Sequence, residues 1–267
     1  MLRSFLAFLR LIYTQRRLIF AMARREIKSQ YIGSFLGILW AFIHPVVMIG
    51  VFWFVFSVGF KAQPMNNAPF VVWLTAGMAP WFLISEIINS SANVVIFHGQ
   101  LVKKTIFFPQ ILPVIKVLSS LVTHTVFLAM LLLLILCHGM PLSLWFVQFF
   151  YYLICLVVLA LGVAWAVSAL NVFMRDVAMI TSILLQIGFW GTPIFWDISM
   201  MPQKVQRWLK LNPMYYVVQG YRDCFIDFVP FWQHPWYSIY FWLFACLTFV
   251  AGALIFKRLK PQFCDVL

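Results

Sequence analysis

Residues Val117–Met174 read VLSSLVTHTVFLAMLLLLILCHGMPLSLWFVQFFYYLICLVVLALGVAWAVSALNVFM, 58 residues without an Asp, Glu, Lys or Arg. A helix needs about 20 apolar residues to cross the hydrocarbon core of a bilayer. This run holds two crossings. Cys137–Ser143 (Cys-His-Gly-Met-Pro-Leu-Ser) forms the turn between them, with Gly139 and Pro141 as the breakers.

Working outward, the rest of the chain has the same character. Of 267 residues, 64% are hydrophobic and 10% charged, against roughly 25% charged in a soluble domain. A fold of this length in water needs a polar skin that this composition does not supply. A second charge-free run of 32 residues lies between Lys28 and Lys61. The pattern predicts an all-α integral membrane protein, one transmembrane domain over 1–267, with six spans at 35–59, 70–90, 111–136, 144–170, 177–195 and 236–256. Backbone groups in lipid have no water to bond, which requires these segments to be helical.

The basic residues orient the spans. Arg3, Arg10, Arg16, Arg17, Arg24, Arg25, Lys28, Lys103, Lys104, Arg175, Lys257, Arg258 and Lys260 fall on one side. Lys61, Lys204, Arg207, Lys210 and Arg222 fall on the other. The excess of thirteen over five places both termini in the cytoplasm. Lys116 lies at a span end, where its stem can snorkel. Topology and anionic lipid account for the net charge of +12 without nucleic acid. Five scattered cysteines without a CxxC pair read as free thiols.

Two segments outside the spans are patterned. Arg3, Arg10, Arg17 and Arg24 recur every seven residues, and seven residues drift only about 20° from two helical turns. Phe5, Phe8, Leu9, Ile12, Ile19 and Phe20 lie opposite. Residues 1–30 therefore read as an amphipathic helix in the membrane surface, serving as an anchor or as a docking surface. Residues 196–235 mix Lys204, Arg207, Lys210 and Arg222 with Trp208, Tyr215, Tyr216, Phe225 and Phe228. They are too polar to span. They read as short re-entrant or interfacial helices at the outer face, split by Asn212-Pro213.

Chemistry motifs are missing. No glycine precedes a lysine, no histidine precedes a glutamate, and no Gly-x-Ser-x-Gly occurs. The five histidines show no metal-ligand spacing. Within the spans the carboxylate is Glu86, near the cytoplasmic end and expected to pair with a nearby Lys or Arg. The chain shows neither an ATPase or other catalytic site nor an evident ion-coupling relay, and no cofactor site. If it transports, its driving energy comes from another polypeptide. Aromatic content is 19%. Besides the interfacial belts, Trp53, Phe54, Trp165 and Trp190 sit deeper, and Trp196, Tyr215 and Tyr216 join them as candidates for an aromatic passage. Aromatic faces suit sugar rings; packing against protein or lipid is the alternative for each.

Four local patterns carry a family resemblance. RREIKSQYIGSFLGILWAFIHPV from Arg24, NVFMRDV from Asn171, FWGTPIFW from Phe189 and NPMYYVVQGYRD from Asn212 resemble, in order and spacing, the membrane subunit of ABC-type polysaccharide exporters. That family handles O-antigen, capsule and teichoic-acid chains. The resemblance implies two copies of a six-span subunit with two separate ATP-binding subunits beneath. ATP and Mg would sit on those partners, in the bacterial inner membrane. A channel at the dimer interface would carry a lipid-linked polysaccharide, with O-antigen the first choice. It also implies that Arg24, Arg25 and Glu26 lie near the ATPase. Lys103 and Lys104, in a cytoplasmic helix near 97–110, match a coupling region. Arg175 and Asp176 match an arginine–aspartate pair at the inner mouth, and 196–235 match helices at the outer mouth. Arg175 and Asp176 also fit a topological stop with a local ion pair.

Other functions remain open on sequence. A permease for drugs or small lipids shares the architecture. A membrane-embedded transferase needs a polar cluster, for which Asp223 and Asp227 are candidates, although neighbouring Arg222 favours a structural ion pair. A passive channel or scaffold needs no ATP.

Overall fold

The computed structural model describes residues 8, 10–31, 34–61, 68–104 and 107–267. Of the surface helix expected over 1–30, Arg3, Phe5 and Leu9 lie outside the described residues. Helix α1 (Arg16–Tyr31) is preceded by helical residues 10–14 and is continuous with them through Gln15 N donating to Leu11 O and Ile19 N to Gln15 O, at 2.8 and 2.9 Å. Ile19 and Ala23 are buried, while Arg10, Arg17, Arg24 and Lys28 are exposed. The basic stripe thus faces away from the protein.

Among the described residues, five helical segments are long and apolar enough to cross a membrane: Trp40–Gly59, Phe70–Ala92, Pro109–Cys137, Leu144–Phe173 and Pro235–Val266. The first consists of α2 (Trp40–Trp53) and a wider π-helical turn, Phe54–Gly59. The others are built on α3 (Phe70–Ala92), α6 (Leu112–Cys137), α7 (Phe149–Phe173) and α11 (Pro235–Leu259). Between α3 and α6 lie two single-turn helices, α4 (Val94–Phe97) and α5 (Gly99–Val102). Residues 105–106 of the expected helix near 97–110 lie outside the described residues.

The segment expected to span over 177–195 is shorter. Helix α8 runs Asp176–Gly191, 16 residues, or about 24 Å at 1.5 Å per residue. Its end has a local cause. Thr192 precedes Pro193, and a residue before proline is pushed out of the helical region. Thr192 sits at ψ 137°, and its hydroxyl donates to the Gly188 carbonyl at 2.7 Å. After it come α9 (Gln203–Leu209), α10 (Pro213–Arg222) and, past α11, the short α12 (Phe263–Val266).

Helix α3 is the hub, contacting α2, α6, α7, α8 and α10. The most extensive helix pair is α7 with α11. Water drives no apolar association inside lipid, so close backbone approach must do so. Gly162 on α7 faces Gly252 on α11. A Cβ at Gly252 would lie 1.9 Å from the Gly162 carbonyl oxygen, and one at Gly162 2.6 Å from the Phe249 Cα.

Lys116 corrects the expectation of snorkelling. It is 6% exposed, and its ammonium forms an ion pair with Glu26 on α1. A buried lysine without water needs a counter-charge, and α1 supplies it from 90 residues away. The pair fastens α1 to the base of α6. Lys116→Met should lower stability by about 2–3 kcal/mol by leaving Glu26 unpaired. Adding Glu26→Gln should recover most of that loss. A double-mutant cycle from thermal unfolding in detergent measures both, and additive losses would deny the coupling. Glu86 accepts a hydrogen bond from the Thr123 hydroxyl at 3.4 Å, and Lys116, engaged by Glu26, is the basic side chain near it.

Candidate functional site

Two polar constructions stand out, one at each end of the helices. At the end carrying most basic residues, α1 and the α4–α5 segment enclose a cleft of about 990 Å³. Arg25 and Glu26 line one wall; Lys103 and Lys104 line the other. Arg25, Lys103 and Lys104 are exposed. Glu26 is already engaged by Lys116, so the cleft's free charge is positive. Such a surface suits an acidic or helix-C-terminal protein partner. Four of the seven residues nominated for coupling therefore meet in one place. Arg24 is exposed beside it; Arg175 and Asp176 are exposed elsewhere, at the start of α8. Asp176 occupies the first turn of α8, where a carboxylate complements the helix dipole.

The NVFMRDV segment works through a different residue. Asn171 is 1% exposed. Its amide nitrogen donates to Asn93 Oδ1 at 2.9 Å, and its Oδ1 accepts from the Ala178 backbone N–H at 3.0 Å. One side chain thus joins the end of α7, the first turn of α8 and the junction of α3 with α4. Ser182 on α8 adds a bond to Asn89 on α3 at 3.0 Å. These contacts join α8 to α3 and to the start of α4.

At the opposite end, FWGTPIFW and NPMYYVVQGYRD are bolted together. The Asn212 side chain accepts from the Met214 N–H at 3.0 Å, capping α10, and donates to the Thr192 hydroxyl at 2.8 Å. Arg222, 2% exposed, donates to the carbonyls of Pro193 and Ile194 at 2.9 and 2.7 Å. Its guanidinium lies 3.4 Å over the Trp73 ring, where a cation gains from the aromatic quadrupole. Gly77 permits the approach, since a Cβ there would lie 2.8 Å from the guanidinium nitrogen. Arg222 gives these hydrogen bonds to the clamp, while Asp227 and Asp223 act on it by charge. Asp223 instead accepts from Gln219 at 2.9 Å, and burial pushes its carboxyl up to about 7. Burial also pushes Arg222 down to about 9, which leaves it charged at neutral pH.

The nominated aromatics separate by burial. Trp53, Phe54 and Trp190 are exposed. Trp196 donates its indole N–H to the Trp190 carbonyl at 3.3 Å, and Tyr215 is half-buried. Trp165 is 3% exposed, donates to the Gln110 carbonyl at 3.1 Å and packs on Phe249. The Tyr216 hydroxyl lies between those of Tyr151 and Ser238, at 3.0 and 2.8 Å, and its ring is buried. Packing removes Trp165 and Tyr216 from the candidate lining of a passage.

The ABC-2 type transporter family profile matches residues 17–226. The chain belongs to this family. The match runs from α1 to just beyond α10, so it includes Arg25, Glu26, Lys103 and Lys104 of the cleft, the Asn171 junction and the Arg222 clamp. Among similar proteins, an O-antigen export system permease of Myxococcus xanthus is 30% identical, covering 81% of this chain and 83% of that one. One from Klebsiella pneumoniae is 27% identical over 94% and 95%. A polysialic acid transport protein of Escherichia coli is 24% identical over 76% and 79%. This ABC-2 transporter is accordingly a multi-pass permease related to polysaccharide export systems. Among its described residues no group of three or more His, Cys, Asp or Glu side chains is placed to hold a metal ion.

Sequence reasoning passed over Trp73, Asn93 and Asn171. Asn171 stood inside a quoted motif, but attention went to its charged neighbours. Trp73 has no local signal, because its partner Arg222 is remote in sequence.

Proposed function

We propose that this chain is the passage-forming subunit of an ATP-driven exporter of a lipid-linked polysaccharide, O-antigen in the first instance. The observation that carries this reading is the cleft between α1 and α4–α5, which offers Arg25, Lys103 and Lys104 to a partner from a chain with no phosphate-binding loop. The curated relatives named above supply the substrate class. In this reading α8 is the fifth of six crossings, both termini are cytoplasmic, and the cleft faces an ATP-binding subunit that carries ATP and Mg²⁺. Two permease copies and two such subunits complete the exporter.

Helix α8 supports the dimeric arrangement. Its buried residue is Thr181, whereas Met179, Ile183, Leu184, Ile187 and Trp190 are each more than half exposed. They give α8 a broad apolar face, and Trp53 and Phe54 are exposed on the first crossing. A second copy meeting this face would enclose a passage whose rings stack on sugars. ATP-driven closure of the motor would shift the cleft walls, and the Asn93–Asn171–Ala178 junction would pass that shift to α8.

The test is reconstitution with the cognate ATP-binding subunit. Arg25→Glu with Lys103→Glu should weaken co-elution of that subunit about tenfold or more, from reversed charge at a complementary interface. Glycan display at the cell surface should fall with it. Unchanged association and unchanged display together would refute the docking role. Intact surface glycan after deletion of the gene, with loss of export of some small amphiphile, would transfer the protein to the drug or lipid exporters.

A further inference from the structure

Outside the cleft and the clamp, one cavity carries chemistry that transport of a glycan does not require. It has a volume of about 620 Å³ and lies between α9 and the start of α11. Arg207 and Lys210 enter it from α9 and the residue after it; Trp236 and Tyr237 enter from the first turn of α11. Gln203 and Gln206 add amides, and no carboxylate lines it among the described residues. The Gln206 amide nitrogen donates to the Met201 carbonyl at 2.8 Å, and Tyr240 donates to the Leu211 carbonyl at 2.7 Å. The first bond braces α9 on the turn before it, and the second ties α11 to the residues that follow α9. Lys210 lies 5.8 Å over the Tyr237 ring.

Three sources of positive potential converge there. Two are the side-chain cations. The third is the amino end of α11, a 25-residue helix whose cap, His234, makes no side-chain bond to it. The unpaired N–H groups of a long helix favour an anion. Depth narrows the anion's identity. Trp and Tyr at the end of a span mark the headgroup level of the bilayer, where the abundant anion is a phosphate ester.

We propose that this cavity binds the phosphate-bearing headgroup of a lipid. The phosphate is met by Arg207, Lys210 and the start of α11. Gln203 and Gln206 meet hydroxyls of the attached polyol or sugar, and Trp236 covers the first carbons of the tail. The lipid is either a bulk anionic phospholipid or the carrier of the exported chain; both present the same phosphate. The site goes beyond the transport reading, relying on it only for the second of these two sources.

The experiment is native mass spectrometry of the full chain in detergent, with phosphatidylglycerol, phosphatidylcholine or a polyprenyl phosphate added in turn. Arg207→Gln with Lys210→Gln alters exposed or half-exposed side chains, so folding should survive. Removing two interfacial cations should weaken retention of the preferred phosphate lipid about thirtyfold, at a per-cation effect typical of membrane surfaces. Phosphatidylcholine retention should not change. Arg175→Gln, at the other end of the protein, should leave retention as in the wild type, and Arg207→Lys should restore most of it. Loss confined to phosphatidylglycerol identifies a bulk lipid; loss confined to polyprenyl phosphate identifies the carrier. Equal retention of every lipid by wild type and double variant overturns the site. No ATPase or export is measured, so this outcome stands apart from failure of the exporter reading.

Discussion

Gly252→Ala should detach the last helix from the bundle. The added methyl would lie 1.9 Å from a carbonyl oxygen of α7. That oxygen belongs to backbone, so no side-chain rotation relieves the clash. Either α11 moves away along its most extensive contact or the chain loses the fold. Overpacking of side chains costs about 1–3 kcal/mol, and a backbone obstruction belongs at or above the top of that range. Gly162→Ala should behave similarly, because its Cβ would meet the Phe249 backbone at 2.6 Å. Gly50→Ala on α2 is the control: nothing lies within 4 Å of its Cβ, and stability should hold or rise slightly. Unfolding in graded denaturing detergent reads all three. If Gly252→Ala unfolds together with Gly50→Ala, the close crossing of α7 and α11 is not what holds the helix.

Arg222 should be the most sensitive side chain at the outer end. Truncation to alanine strips the donors from two carbonyls and uncovers the Trp73 face. Hydrogen bonds to a charged group contribute roughly 1.5–3 kcal/mol each, so a total loss near 3 kcal/mol is a cautious expectation for this clamp. Arg222→Lys should recover little. An ammonium is a point charge that cannot lie flat on a ring while serving two carbonyls in a fork. The functional signature separates this variant from those of the inner cleft. The ATP-binding subunit should still associate, while export falls because the Thr192–Trp196 turn has lost its anchor. Normal export with Arg222→Ala would show that the clamp is dispensable.

The spans were readable because lipid leaves the backbone few choices. Once Val117–Met174 lacks charge over its whole length, two helices and a turn follow. What escaped notice depends on partners distant in the chain. Lys116 alone reads as a snorkelling residue, and nothing near it announces Glu26. Arg222 reads as the neighbour of Asp223, yet consecutive residues on a helix point in different directions, and the guanidinium reached carbonyls nearly thirty positions earlier. The shortness of α8 was legible in principle, since Thr192-Pro193 marks its end; the apolar residues beyond it, Ile194 and Phe195, drew the boundary outward. That Arg25, Glu26, Lys103 and Lys104 line one cleft was not legible, because it depends on how α1 lies against α6.

The length of α8 has a consequence for the surrounding bilayer. Its 16 residues reach about 24 Å, while a hydrocarbon core measures about 30 Å. Beside it α7 has 25 residues, more than enough to reach across. In the proposed exporter, where α8 is a crossing at the seam between two copies, this helix falls about 6 Å short of the hydrocarbon thickness. A polar cargo moving along that seam would cross a thinner insulating layer than beside α7. Thickening the membrane with longer acyl chains adds an elastic cost of a fraction of a kcal/mol per ångström of mismatch and should oppose its passage.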